Sequence, residues 1–135
     1  MPELAAIESF LYREASYLDR PDLDSWIELY TEDAYYWIPA TEDQVDPINH
    51  VSHIYDDRVM MEIRRRNFVH PRAASKDSQT RSSHLIGNVQ IKGPSSEGGL
   101  IVESTSMSWC GTRMSNGFML LPHSMSSGPK MVALR

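Results

Sequence analysis

The chain has 135 residues, of which 41% are hydrophobic and 23% are charged, and its formal net charge is −5. This size and composition predict one globular domain over residues 1–135 with a single hydrophobic core, and the negative charge argues against nucleic acid as a partner. There is no apolar run near the ~18 residues that span a bilayer, no signal-peptide pattern and one cysteine, so we expect a cytoplasmic protein without disulfides or membrane attachment.

Two helices are predicted at the N-terminal end. From Pro2 to Asp19, apolar side chains recur every three or four residues and form one stripe. Pro21 ends this helix, and Asp22 can cap a short second one. The apolar face of the second helix would consist of Leu23, Trp26, Ile27 and Tyr30.

The middle of the chain reads as a short strand, a loop and a third helix. The run from Ala34 to Ile38 is aromatic and β-prone, and residues 41–49 are polar. A helix is predicted from Asp56 to Phe68, with aspartates at its positive end and three arginines at its negative end. We expect that basic run, Arg64 to Arg66, to be a solvated helix face.

Two strands follow, with a turn between them. The first runs from Thr80 to Ile91, and the turn spans Gly93 to Gly99. The second begins at Leu100, so the two strands should form a hairpin. The alternation predicts one shared face for Arg81, Ser83, Leu85, Gly87, Val89 and Ile91. Helices first and strands later predict an α+β fold, in which the helices pack on one face of a mostly antiparallel sheet.

Three segments, in this order and spacing, resemble the small (beta) subunit of aromatic-ring-hydroxylating dioxygenases, which are Rieske non-haem iron oxygenases. The resemblance covers about Ile7 to Val102. The segments are FLYREASYLDRPDLDSWIELYTEDAYYWIP, VSHIYDDRVMMEIRRR and TRSSHLIGNVQI. No segment is a catalytic signature by itself.

The resemblance implies an NTF2-like cone, in which N-terminal helices pack on a curved sheet. It also implies a small, mainly structural subunit of a terminal oxygenase in aromatic compound catabolism. The expected partner is the large (alpha) subunit, in an α3β3 hetero-hexamer. That partner would hold the Rieske [2Fe-2S] cluster and a mononuclear iron(II), with electrons from NADH through a reductase. No catalytic, cofactor-binding or metal-binding residue is expected in this chain.

The same cone also occurs in free-standing isomerases, dehydratases and ligand-binding domains, which gives an alternative function. In that case Tyr30, Asp33 and His84 would be the catalytic residues, with Trp37 lining the cavity. A tyrosine beside a histidine or an aspartate can polarise a carbonyl group and move a proton. The simpler interpretation makes Tyr30 and Trp37 core aromatics whose polar atoms are satisfied.

Metal chemistry has weak support in the sequence. His50, His53 and Asp56 have the residue types of a two-histidine, one-carboxylate iron site. Their spacing crosses a predicted junction between loop and helix, so we expect no iron site there. Cys110 is the one cysteine, whereas an iron–sulfur cluster needs at least two with two histidines.

The sequence changes character after Ser104, where neither strand alternation nor a helical stripe is sustained. We therefore divide the chain into a family-like part, residues 1–104, and an atypical tail, residues 105–135, which would leave the C-terminal strands of the sheet incomplete. Back-translation one base earlier from Thr105 yields Asn-Phe-His-Val-Val-Val-Arg-Tyr, an alternating pattern like the family's usual continuation. A single-base frameshift near codon 104 would explain this; the alternative is a divergent but genuine C-terminus.

Overall fold

The structure is a computed structural model that describes residues 2–41, 46–69, 80–96, 98–114 and 117–130. In chain order the elements are α1 (Leu4–Asp19), α2 (Leu23–Ile27), β1 (Tyr36–Ile38), β2 (Ile54–Asp56), α3 (Arg58–Val69), β3 (Thr80–Pro94), β4 (Leu100–Met114) and β5 (Gly117–Lys130). They form two compact units. The sheet unit comprises Met1–Asp22 and Asp77–Arg135, and the helical unit comprises Leu23–Lys76.

Helix α1 packs on the antiparallel sheet of the sheet unit, whose strand order is β3-β4-β5. The predicted apolar stripe of α1 faces this sheet. Ile7 and Leu11 are 1% exposed, as is Val102 of β4, and these three residues form the centre of the core. The partly buried residues around them are Phe10, Ile86, Val89, Ile91 and Leu100.

A β-bulge divides strand β3, so the prediction that six of its residues share one face is wrong. Between Gly87 and Gln90, β3 has one residue more than its partner β4, and Asn88 has a left-handed φ of 51°. An extra residue reverses which side chains face the core. Ile86 before the bulge and Val89 after it therefore both pack on the core, while Leu85 is 59% exposed.

The long strand β4 continues through Ser104 as far as Met114, past the point where the sequence pattern changes. Its register with β3 pairs Leu85 with Met107, and its register with β5 pairs Met107 with Met125. A backbone ladder satisfies its amide and carbonyl groups whatever the side chains are. For this reason, the loss of alternation after Ser104 did not predict the end of the strand.

The helical unit contains a two-stranded antiparallel sheet of β1 and β2, and its helix α3 contacts both α2 and β2. Asp57 is the N-cap of α3, because its side chain accepts a hydrogen bond of 2.9 Å from the Met60 amide. Met61, Trp26 and Ile27 are buried, at 0%, 2% and 3% exposure. Helix α3 was predicted from the sequence, but β2 was expected to be part of a loop. A three-residue strand is specified by its partner more than by its own pattern.

Candidate functional site

A carboxylate at the end of α1 clamps strand β3 in the sheet unit. Oδ1 of Asp19 lies 2.5 Å from Nδ1 of His84 and accepts a hydrogen bond of 3.1 Å from the Ser82 hydroxyl. Oδ2 accepts a hydrogen bond of 3.0 Å from the His84 backbone amide. Both carboxylate oxygens are thus engaged, and the imidazole ring is held by Nδ1 with Nε2 as its remaining polar atom.

A cleft of about 250 Å³ lies beside this clamp, between the last turns of α1 and strand β3. The residues that α1 contributes lie at intervals of three or four along the helix, in neighbouring pairs, so they share one side of it. The lining residues are Tyr12, Ala15, Ser16, Asp19, Arg20, His84 and Ile86. Two of these residues, Ala15 and Ile86, are apolar and form what we call the floor of the cleft, and the other five carry polar side-chain atoms.

His84 was among the residues selected from the sequence, whereas Asp19, which is 65 positions away in the chain, was not. Pattern analysis cannot pair residues at that separation. One signal was present: Asp19 is the last residue of α1. A carboxylate is unfavourable at the negative end of a helix unless specific donors compensate it. The donors here are the hydroxyl of Ser82 and two groups of His84.

The other two residues of the alternative catalytic set, Tyr30 and Asp33, belong to the helical unit, whereas His84 belongs to the sheet unit. The ring of Tyr30 makes edge contacts with Trp26 and Tyr36, at centroid distances of 5.0 and 6.2 Å. The Trp37 indole donates a hydrogen bond of 2.8 Å to the Ser52 hydroxyl. A joint catalytic role of Tyr30, Asp33 and His84 stays a prediction.

Arginines connect the elements of the helical unit. Arg58 donates hydrogen bonds of 2.5 and 2.7 Å to the backbone carbonyls of Ile27 and Tyr30, which close the end of α2. The predicted solvated run is only partly solvated, because the Arg65 side chain is 24% exposed and pairs with Asp24 and Glu62. The Arg65 hydrogen bond to Glu62 holds the pKa of that carboxyl below its usual value of 4.5.

The helical unit also displays large apolar side chains to solvent. We call the following set its apolar surface: Ile48, Val51, Val59, Met60 and Ile63, which are 81%, 88%, 66%, 46% and 43% exposed. On α3, Ile63 lies four residues after Val59 and three after Met60, so the three side chains share one side of that helix. Neighbouring exposed apolar side chains, such as the three on α3, are typical of a protein interaction surface.

The described residues contain no group of three or more His, Cys, Asp and Glu side chains arranged to hold a metal ion. Asp56, one of the three residues weighed as an iron site, is 5% exposed and accepts a hydrogen bond of 2.8 Å from Nε of Arg64. His50 and His53 are exposed. None of the described helices has the length and apolar character needed to cross a membrane.

Comparison of the sequence with known protein families identifies the family of this chain. The model of the ring hydroxylating beta subunit family matches residues 13–116, which is most of the chain. The chain belongs to this family. The resemblance predicted from three segments is thereby confirmed, and the match extends beyond Ser104 into the region with atypical sequence.

Individual relatives agree with this assignment. The beta subunit of toluate 1,2-dioxygenase from Pseudomonas putida is 38% identical over 91 residues, covering 64% of this chain and 56% of that protein. The small subunit of anthranilate 1,2-dioxygenase from Acinetobacter baylyi is 38% identical over 109 residues, covering 77% of this chain and 64% of that protein. The chain thus spans between half and two thirds of the length of these curated relatives.

Among solved structures, the beta subunit of benzoate 1,2-dioxygenase from Burkholderia mallei superimposes with a TM-score of 0.68 at 26% identity. The match covers 96% of this chain and 86% of that chain. It confirms the predicted α+β class, with helices and antiparallel sheets arranged as in dioxygenase beta subunits.

Proposed function

We propose that this chain is the small, mainly structural subunit of the terminal oxygenase of an aromatic-ring-hydroxylating dioxygenase, acting in aromatic compound catabolism. The observation that carries the proposal is the family match over residues 13–116. The relatives named above are beta or small subunits of 1,2-dioxygenases of toluate, anthranilate and benzoate. This function is non-catalytic in the chain itself.

The proposed partner is a large (alpha) oxygenase subunit, in a cytoplasmic α3β3 hetero-hexamer. The apolar surface of the helical unit supports a protein partner, because side chains such as Val51 and Val59 are 88% and 66% exposed in the isolated chain. Covering such residues in a complex removes apolar area from water and stabilises the assembly.

The redox centres belong to the large subunit in this proposal. A Rieske cluster takes two cysteines and two histidines, and this chain has one cysteine, Cys110, so its residues do not fit the cluster. The large subunit would hold both the cluster and the mononuclear iron, supplied with electrons from NADH by a reductase. The contribution of this chain would be to hold large subunits together.

We further propose that residues 1–135 form one domain of the NTF2-like type and that a frame change near codon 104 produced the tail. One DNA read through the gene tests the second point. A single-base shift that restores an alternating strand after codon 104 is the expected result. An intact frame would overturn it and make residues 105–135 a genuine, divergent C-terminus.

Co-expression tests the subunit proposal. A tagged Rieske large subunit, encoded beside this chain or taken from a benzoate-type dioxygenase, is purified with the chain and weighed by light scattering. We expect the chain to co-purify in a hexamer-sized complex. A chain that stays behind as a separate species, while a benzoate-type beta subunit co-purifies in parallel, would contradict the proposal.

A further inference from the structure

We propose that the cleft between α1 and β3 is a binding site for a small monocarboxylate with a compact apolar body, such as an aryl carboxylate. This goes beyond assembly, because the site lies wholly within the sheet unit and needs no partner subunit. It rests on the chemistry of the lining residues, on the engaged state of the Asp19 carboxylate and on the size of the cleft.

Three of the residues that line the cleft, Tyr12, Ser16 and Arg20, carry hydrogen-bond donors in their side chains. Arg20 supplies a guanidinium group, whose planar fork of N–H groups matches the two oxygens of a carboxylate. Tyr12 and Ser16 supply hydroxyl groups on the same side of α1. In the proposal Arg20 binds the carboxylate, and the hydroxyl groups of Ser16 and Tyr12 are further donors along the same side of the helix.

Asp19 is the one acidic residue that lines the cleft, and its carboxylate is already satisfied. Its oxygens accept hydrogen bonds from Ser82 and from both the backbone and the side chain of His84. A carboxylate whose lone pairs are occupied by donors in its own fold repels an incoming anion less than a free one does. The clamp also fixes the His84 ring as part of the wall.

The floor and the volume set the size of the ligand. Ala15 is 6% exposed and Ile86 packs on the core, so together they offer a small apolar surface. A volume of about 250 Å³ is below the range typical of drug-sized ligands, which begins near ~300 Å³. A single ring carrying one carboxylate has the right dimensions.

Binding here would be specific rather than a general attraction of anions, because the chain carries a net charge of −5. Aryl carboxylates are also named in three of the matched relatives, the toluate, anthranilate and benzoate dioxygenases, whereas another relative is named for benzene. A small subunit that binds such an acid would give the assembly a second binding site for it, separate from the large subunit.

The test uses the full chain and sodium benzoate, with binding followed by ligand-observed NMR and by calorimetry. We expect saturable binding with a Kd of about 1 mM or tighter, and benzamide, which lacks the charge, should bind about tenfold more weakly. Arg20→Gln should weaken benzoate binding about tenfold. Arg13→Gln is the matched control, since Arg13 lies on the same helix but stacks over Phe10 outside the cleft.

A second variant keeps the test decisive if Arg20→Gln alters folding. Ser16→Leu places a larger side chain at an exposed helix position and should fill the cleft, abolishing saturable binding while the melting temperature is kept. Absence of saturable binding to the unmodified chain, or equal affinity in Arg20→Gln and Arg13→Gln, would overturn the proposal. Co-purification with the large subunit is measured separately, so failure of the ligand site and failure of the subunit function are distinguishable.

Discussion

Helix α1 and the sheet bury Ile7, Leu11 and Val102 to 1% exposure, around which five more apolar residues pack. The buried apolar residues described in the helical unit are Trp26, Ile27 and Met61. In addition, that unit has arginine hydrogen bonds to backbone carbonyls and carboxylates. It also leaves its apolar surface, which includes Val51 and Val59, open to solvent.

The comparison separates two kinds of residue: buried ones that stabilise the fold and exposed ones that are available to bind a partner. Apolar burial stabilises a fold without a partner, at about 25 cal/mol per Å². Solvent-exposed hydrogen bonds and ion pairs contribute less to the free energy of folding. Exposed apolar side chains stabilise the protein mainly when a partner covers them. Both units bury apolar side chains of their own, and the helical unit in addition has an exposed apolar side of α3 that a partner could cover.

The largest expected effect is in the core of the sheet unit. Leu11→Ala removes a side chain that is 1% exposed, so the free energy of unfolding should fall by about 2–5 kcal/mol. Equilibrium urea unfolding measures this. Leu4→Ala, on the same helix but at a 45% exposed position, should cost less than about 1 kcal/mol. Equal losses for the two variants would mean that α1 does not pack through the stripe containing Leu11.

A smaller loss is expected in the helical unit. Arg58→Met leaves the carbonyls of Ile27 and Tyr30 without the guanidinium, which should cost about 1–3 kcal/mol. Arg66→Met, at a side chain that is 71% exposed, should change stability by about 0.5 kcal/mol or less. Thermal melts of the two variants measure the difference. Arg58→Met as stable as Arg66→Met would refute the role assigned to Arg58.

The smallest expected effect depends on pH. The pKa of Glu62 is lowered in the folded chain, chiefly by the hydrogen bond that Arg65 donates to it. The charge of Glu62 therefore stabilises the fold fully at pH values above its usual pKa of 4.5. That stabilisation is lost as pH falls through the lowered pKa. Glu62→Gln should therefore melt slightly below the parent chain at neutral pH and equally with it in acid. A melting difference that grows as pH falls would contradict this sign.

Much of the fold was predictable because its signals are local. Helix α1 has an apolar stripe, and α3 has an aspartate cap. The bulge at Asn88 was not predicted, although Gly87 and Asn88 are residue types that tolerate such a backbone. Strand β2 was missed because its pairing partner lies outside its own sequence.

The candidate site was only half predictable for the same reason. His84 was selected from the sequence as a residue lining the cavity of an NTF2-like cone, but its partner Asp19 lies 65 positions earlier. The proposed partner Asp33 belongs to the other compact unit. Pairings of this range follow from how α1 crosses the sheet, and no local pattern encodes that crossing.

Co-purification with the large subunit, measured on a surface variant, tests the central claim most directly. Val59→Asp combined with Ile63→Asp places two charges on the apolar surface of the helical unit, where the side chains are 66% and 43% exposed. Leu4→Asp, 45% exposed in the sheet unit, is the matched control. We predict that the double variant keeps its melting temperature but no longer co-purifies, while Leu4→Asp still does. A double variant that co-purifies as well as the parent chain would show that this surface is not the interface.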